Sequence, residues 1–286
     1  YYWAGMTWFD AICHAFSTMG LGGFSTHDAS FGYFDSPAIE MVAVVFMLIA
    51  GMNFATLYLA VASRSLTPYM RDPEAPWFLA VTLGSVLLVS FYIWANGTYD
   101  SEATALRHAL FNVVSIATTT GYASVDYALW PMFAPIWMLF LSSFATSAGS
   151  TGGGIKMIRA LLLYKQFYRE LVRAMHPSAV YNVRIAGQVM PQNILFAALS
   201  FGFVYMVSIV SLTLLMVFSG LDIISSFTAV VASINNTGPG LGVVGPSTTY
   251  EILTDFQTWV CTFAMLLGRL ELFTLLVVMT PAFWRK

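Results

Sequence analysis

Charge is what this chain has least of. Of its 286 residues only 9% are Asp, Glu, Lys or Arg, against 58% hydrophobic and 16% aromatic, with a mean hydropathy of +0.74. A soluble domain is about a quarter charged, so a chain this apolar cannot cover a water-facing surface, and its composition belongs in a bilayer. Cysteine is scarce too: Cys13 and Cys261 stand alone, without a redox or metal spacing, which excludes a disulfide framework. No basic stretch accompanies Tyr1-Tyr2-Trp3 and no Met opens the chain, so a signal peptide is not expected and the chain reads as an internal piece of a longer protein. The absence of a His, Asp and Glu cluster at one depth argues against an enzyme.

What is abundant is long apolar sequence. Runs free of Asp, Glu, Lys and Arg cover 41–62, 77–95, 127–155 and 185–221, and 256–284 is equally apolar apart from Arg269 and Glu271. All reach the ~18–20 residues that span hydrocarbon, predicting five spanning helices. Three other stretches, 8–17, 103–117 and 223–234, run into Gly- and Thr-rich sequence. At ~1.5 Å per residue they cross about half the hydrocarbon and read as re-entrant helices, with surface-lying amphipathic helices as the alternative. Irregular backbone at membrane depth persists only inside protein or along a watery cavity, so each re-entrant helix implies a pore.

The order short helix, span, span, short helix, span, span, short helix, span assigns every loop to a side. All lysines and arginines except Arg107 and the intramembrane Arg269 then collect on one face, which the positive-inside rule makes cytoplasmic. Asp28, Asp35, Glu40, Asp100, Glu102, Asp126, Asp222, Glu251 and Asp255 collect opposite, around the mouths of the re-entrant segments. An acidic rim there raises the local cation concentration.

The three short helices end in similar strings: Ser17-Thr18-Met19-Gly20-Leu21-Gly22-Gly23-Phe24, Ser115-Ile116-Ala117-Thr118-Thr119-Thr120-Gly121-Tyr122 and Ser233-Ile234-Asn235-Asn236-Thr237-Gly238-Pro239-Gly240. Aligned on their serines, the third needs a one-residue gap before Gly238. Gly23, Gly121 and Gly238 recur 98 and 117 residues apart, a period that holds a helix, a pore loop and a second helix. A cation crossing a constriction loses its water and needs carbonyl oxygens in its place, and glycine allows the backbone conformations that turn carbonyls to one axis. Helices entering from outside also point their partially negative C-termini at the ion.

These strings, together with His14-Ala15-Phe16-Ser17-Thr18 and Gly22-Gly23-Phe24-Ser25-Thr26, resemble the Trk/Ktr/HKT superfamily of potassium transporters, specifically its TrkH type, over essentially the whole chain. The resemblance implies an all-α integral membrane protein of repeated helix–pore loop–helix units around a pseudo-fourfold pore, with five spanning and three re-entrant helices here. The second unit's pore loop and second helix would occupy 1–63, the third unit, with a broken second helix, 64–175, and the fourth 176–286; the first unit and the opening helix of the second are then missing. It implies K+ as the permeant ion and no organic cofactor, with a filter from Thr18, Gly22 and Gly23, from Thr118, Thr119, Thr120 and Gly121, and from Asn235, Asn236, Thr237 and Gly238. It further implies a multi-pass protein of the bacterial inner membrane, with filter mouths outside, lipid around it, a second copy forming a homodimer, a cytoplasmic nucleotide-binding regulatory ring of the TrkA kind as partner, and no nucleic acid. A sodium-permeable relative is the nearest rival, associated with serine at a filter glycine, and none of the three positions is serine. A solute carrier binding at the broken helix is the other, but the repeats run in one orientation rather than inverted.

The break is predicted within 142–154, where Gly149, Gly152, Gly153 and Gly154 accumulate. Three consecutive glycines cost a helix ~1 kcal/mol each relative to alanine. A phosphate-binding loop needs Gly directly before Lys, whereas Ile155 precedes Lys156 and Met157 follows it; Gly240 to Gly245 matches a dinucleotide fingerprint by letter but ends at Pro246. In the TrkH type this segment resembles an intramembrane gating loop; a rigid helix break is the plainer reading. Arg269, deep in the last span, needs a partner there; Glu271 lies ~200° around the helix from it, and the resemblance places the arginine near the gate. His14 and His108 read as packed histidines, and Lys165, Arg169 and Arg173 as a solvated, headgroup or docking stripe on a cytoplasmic helix.

Overall fold

In the computed structural model, residues 1–270 and 272–285 are described. The three half-length apolar runs form helices α1 (Trp8–Met19), α6 (Glu102–Ala117) and α10 (Ile223–Ile234). The N-terminal ends of two are fixed by side-chain caps: Thr7 accepts the Asp10 amide at 3.2 Å and Asp222 the Ser225 amide at 2.9 Å, as N-cap residues do. Between and after them come α2 (Pro37–Gly51), α3 (Phe54–Ser63), α4 (Thr67–Arg71), α5 (Ala75–Ala95), α7 (Phe133–Ser142), α8 (Met157–Met175), α9 (Gln192–Phe218), α11 (Asp255–Arg269), α12 (Leu272–Met279) and α13 (Pro281–Trp284). Proline stands in the first turn of α2, α4, α5 and α13, where its missing N–H costs nothing.

Helix α6 is the hub, packed by α2, α5 and α7. Every residue from Phe111 to Ala117 is buried, with Phe111, Val113, Val114, Ile116 and Ala117 at 0% exposure. Phe31, Met47, Phe78, Ile93 and Met138 close around this half of the molecule. A second apolar core lies where α10 is held between α9 and α11, through Tyr205, Ile209, Met216, Val230, Ile234, Val260 and Ala264.

The broken helix opens where its sequence predicts: α7 ends at Ser142 and α8 begins at Met157. Two further bends were not expected. The run 41–62 is divided into α2 and α3, inclined at 103°, because Asn53 leaves the helix and caps a new one, accepting the Ala55 amide at 2.8 Å. Helices α11 and α12 are inclined at 112°, and Glu271, between them, lies outside the described residues. By length and composition, among the described residues α5 and α9 are long enough to cross a membrane, or up to four spans if each bent pair counts as one. Helix α9 starts later than predicted, because Arg184–Ile185 and Gln188–Val189 pair as a two-residue hairpin, β1 and β2, around Ala186 and Gly187, both at positive φ, a preference of tight hairpin turns.

Arg107, the basic exception on the acidic face, donates to Glu40 at 2.7 and 2.9 Å and to Asp35 at 2.8 Å. It clips α6 to the start of α2 and is locally neutralised. The stripe on α8 is also engaged: Lys165 donates to the Arg184 carbonyl at 2.5 Å, and Arg169 and Arg173 both approach Glu170. Lys286 lies outside the described residues.

Candidate ion site

The ends of α1, α6 and α10 have the same backbone hydrogen bonds. Gly22, Thr120 and Thr237 donate their amides to Ser17, Ser115 and Ala232, each at 2.8 Å; Leu21, Thr119 and Asn236 donate to Thr18, Ile116 and Ser233 at 3.0–3.1 Å. This pair of bonds is the Schellman motif of a helix C-terminus, which needs a left-handed residue just past the helix. Leu21 (φ 49), Thr119 (φ 61) and Asn236 (φ 54) supply it. Left-handed backbone in a branched residue such as Thr119 costs ~1–3 kcal/mol and persists only where the surroundings dictate it.

Two residues later Gly23, Gly121 and Gly238 are again left-handed, at φ 69, 87 and 100. The structure therefore aligns the strings without a gap: the partner of Ser17 and Ser115 is Ala232, not Ser233. The spacing from the last helical residue, Met19, Ala117 or Ile234, to the glycine is the same in all three and sets this register.

Two of the glycines are required by contact between loops as well as by φ. A Cβ at Gly23 would lie 2.1 Å from the Thr120 carbonyl oxygen, and one at Gly121 1.9 Å from that of Thr237. The loops thus meet glycine to carbonyl, in chain order. A Cβ at Gly238 would meet nothing within 4 Å, and its carbonyl accepts the Tyr250 hydroxyl at 2.7 Å. Among the described residues no hydrogen bond reaches the carbonyls of Thr119, Thr120, Gly121, Asn236 or Thr237, although Thr119 and Thr120 are 1% and Thr237 2% exposed. Buried carbonyls are nearly always paired; oxygens held bare in this way are suited to replace the water of a cation.

The side chains of the strings do other work. Thr18 lies between the hydroxyls of Tyr1 at 2.6 Å and Tyr122 at 3.3 Å. Thr118 donates to the Val114 carbonyl at 2.7 Å and pairs with the Thr120 hydroxyl at 2.7 Å. Asn235, fully buried, receives the Tyr205 hydroxyl at 2.7 Å and donates to Ser142 at 3.0 Å, while Asn236 donates to the Met265 carbonyl at 3.2 Å. Gly22 is exposed. Any role of these residues toward an ion is thus through the backbone, except Thr237, whose buried hydroxyl has no partner among the described residues.

The predicted histidines are packed: His14 bonds the Asp10 carbonyl at 2.8 Å and Ser25 at 2.9 Å, against Phe31 and Phe34, and His108 stacks on Tyr99. Sequence reading missed the clasp beside them. Asp10 accepts Thr7 and Thr26, each at 2.6 Å, folding the loop after Gly23 back onto α1.

Beneath the three helix ends runs the segment from Ser143 to Lys156. Consecutive residues each touch one end: the Thr151 hydroxyl donates to the Met19 carbonyl at 3.2 Å, a Cβ on Gly152 would be 3.0 Å from the Thr118 carbonyl, and one on Gly153 1.9 Å from that of Asn235. Gly153 also donates its amide to the Thr119 hydroxyl at 2.8 Å. Gly154 (φ 81) folds tightly on the Ser142 and Ser143 carbonyls, and Gly149 (φ 74) faces the Asn53 amide. Arg269 donates to the Thr151 carbonyl at 3.0 Å and Lys156 to that of Gly152. Arg269 lies at the surface of this chain, and its partner is the loop. A cavity of about 260 Å³ opens beside this segment, lined by Gly152, Gly153, Lys156, Arg159 and Arg269.

Among the described residues no group of His, Cys, Asp or Glu could hold a metal ion. The family model of TrkH, described as cation transport protein, matches residues 2–286. The Trk system potassium uptake protein TrkH of Salmonella typhimurium is 45% identical over 285 residues, 100% of this chain and 59% of that protein; TrkG of Escherichia coli is 38% identical over 99% of this chain and 58% of its own length. The crystal structure of the potassium transporter TrkH from Vibrio parahaemolyticus superimposes with a TM-score of 0.94 at 45% identity, covering 99% of this chain and 61% of that one. The chain spans about three-fifths of the length of these relatives. With three short helices ending in glycine loops, a helical membrane fold and a match along almost its whole length, the chain belongs to the TrkH family of cation transport proteins.

Proposed function

We propose that this chain contributes most of the wall of a potassium uptake pore, with the carbonyls around Gly23, Gly121 and Gly238 as its filter. The observation that carries this reading is the row of buried carbonyls at Thr119, Thr120 and Thr237 that meet no donor. A dehydrated monovalent cation satisfies them; an anion does not. The relatives named above are potassium uptake proteins, which supports K+ over Na+. The units 1–63, 64–175 and 176–286 each supply one glycine-ended loop, the acidic ends of the helices face outside, and the basic loops face the cytoplasm of a bacterial inner membrane. A second copy and a cytoplasmic nucleotide-binding ring of the TrkA kind are the assembly partners this reading entails.

The segment from Gly149 to Gly154 with Arg269 acts as the gate, since three successive residues sit under three helix ends and two cationic side chains hold their carbonyls. The neighbouring cavity gives it room to withdraw. The test is flux in proteoliposomes of the full-length protein: Gly121→Ser, which adds a side chain where Thr237 already presses, lowers the K+ to Na+ flux ratio. An unchanged ratio removes Gly121 from the filter.

A further inference from the structure

Glu74 immediately precedes α5 and is 5% exposed, yet it makes no ion pair with a basic residue among the described contacts. Its Oε2 instead accepts two backbone amides, Ala148 and Ile158, each at 2.9 Å. These amides flank the glycine-rich segment: one stands just before Gly149, the other in the first turn of α8. A single oxygen therefore ties both ends of the loop to one point.

The carboxyl is itself braced. Asp72 Oδ1 accepts the amides of Glu74 at 2.8 Å and Ala75 at 3.1 Å, and its Oδ2 accepts the Thr56 hydroxyl of α3 at 2.6 Å. The junction of α2 and α3 holds the loop a second time, with Ser147 donating to the Gly51 carbonyl at 3.0 Å and Phe54 to that of Gly149 at 3.1 Å. A first-turn amide such as Ile158 needs some acceptor, so a cap on α8 would be unremarkable alone. Sharing that acceptor with Ala148, ten residues earlier across the loop, is not needed for a cap and closes the segment into a ring.

We propose that Glu74 is a positioning residue that sets the resting place of the gating loop under the filter, holding its two ends together so that its middle is pressed against the helix ends. The proposal rests on the gate reading above. Burial pushes the Glu74 carboxyl above its usual range, and a protonated carboxyl still offers an acceptor oxygen, so glutamine is the matching stand-in and leucine fills the same space without an acceptor.

The experiment measures K+ flux per folded full-length protein for Glu74→Leu and Glu74→Gln, alone and with Gly152 to Gly154 deleted. Glu74→Leu raises flux severalfold, Glu74→Gln stays near wild type, and in the deleted background Glu74→Leu changes nothing further, because both act on one barrier. Wild-type flux in Glu74→Leu while the deletion alone raises flux overturns the proposal and leaves the gate standing. So does a Glu74→Leu effect of the same size in both backgrounds. No change on deletion overturns the gate reading itself, and this proposal with it. Should Glu74→Leu not fold, Glu74→Gln leaking at the level of the deletion is the contrary result.

Discussion

A half-buried glycine after three threonines is the smallest unit that matters in this molecule. Gly121 was visible in the sequence because its string repeats, but the string alone does not say what the glycine avoids. Its reason is the Thr237 carbonyl from another loop, a neighbour 116 positions away that no local pattern encodes. The same holds for Thr18 and Asn235, which read as filter residues by position while their side chains bind Tyr1, Tyr122, Tyr205 and Ser142. Gly153 gives the sharpest residue-scale expectation. A Cβ there would be 1.9 Å from the Asn235 carbonyl, far inside contact distance, so Gly153→Ala cannot keep the loop seated. Potassium flux through the full-length variant should rise without a change in the K+ to Na+ ratio; flux equal to wild type in folded protein would place the loop elsewhere.

Element boundaries were legible where they follow from chain-local chemistry. The three short helices, the opening of α7 at Ser142 and the run of α5 all stand where apolar length and glycine content put them. The bend between α2 and α3 was not legible, since 41–62 is uniformly apolar and Asn53 reads as one polar residue in a span; its capping turn is chosen by the contacts of Gly51 and Gly149. Caps themselves are readable and testable. Asp222 holds the start of α10, and the amides it accepts keep its carboxyl below the usual range. A depressed carboxyl contributes stability above its unfolded pKa and loses it as pH falls through the lower folded one. Asp222→Ala should cost about 1 kcal/mol at neutral pH, seen as a lower unfolding midpoint in detergent, and the difference from wild type should shrink in acid. A pH-independent gap would assign Asp222 to packing instead.

On the scale of the whole molecule, the ends of three helices, one loop and two cationic side chains, Lys156 and Arg269, come together. Arg269 was expected deep and paired; its partner is the loop carbonyl of Thr151, to which it donates at the surface of this chain. If it steadies the loop, Arg269→Ala raises flux and adds little once Gly152 to Gly154 are deleted; a packing role would lower the unfolding midpoint additively with the deletion and leave flux per folded protein unchanged. In each case the ion sits at the bare carbonyls. Anomalous scattering from the full-length protein crystallised in rubidium, which has nearly the size of potassium, locates that ion directly. The account requires density within coordinating distance of the carbonyls of Thr120, Gly121 and Thr237; rubidium bound elsewhere in the pore, with none at these oxygens, would contradict it.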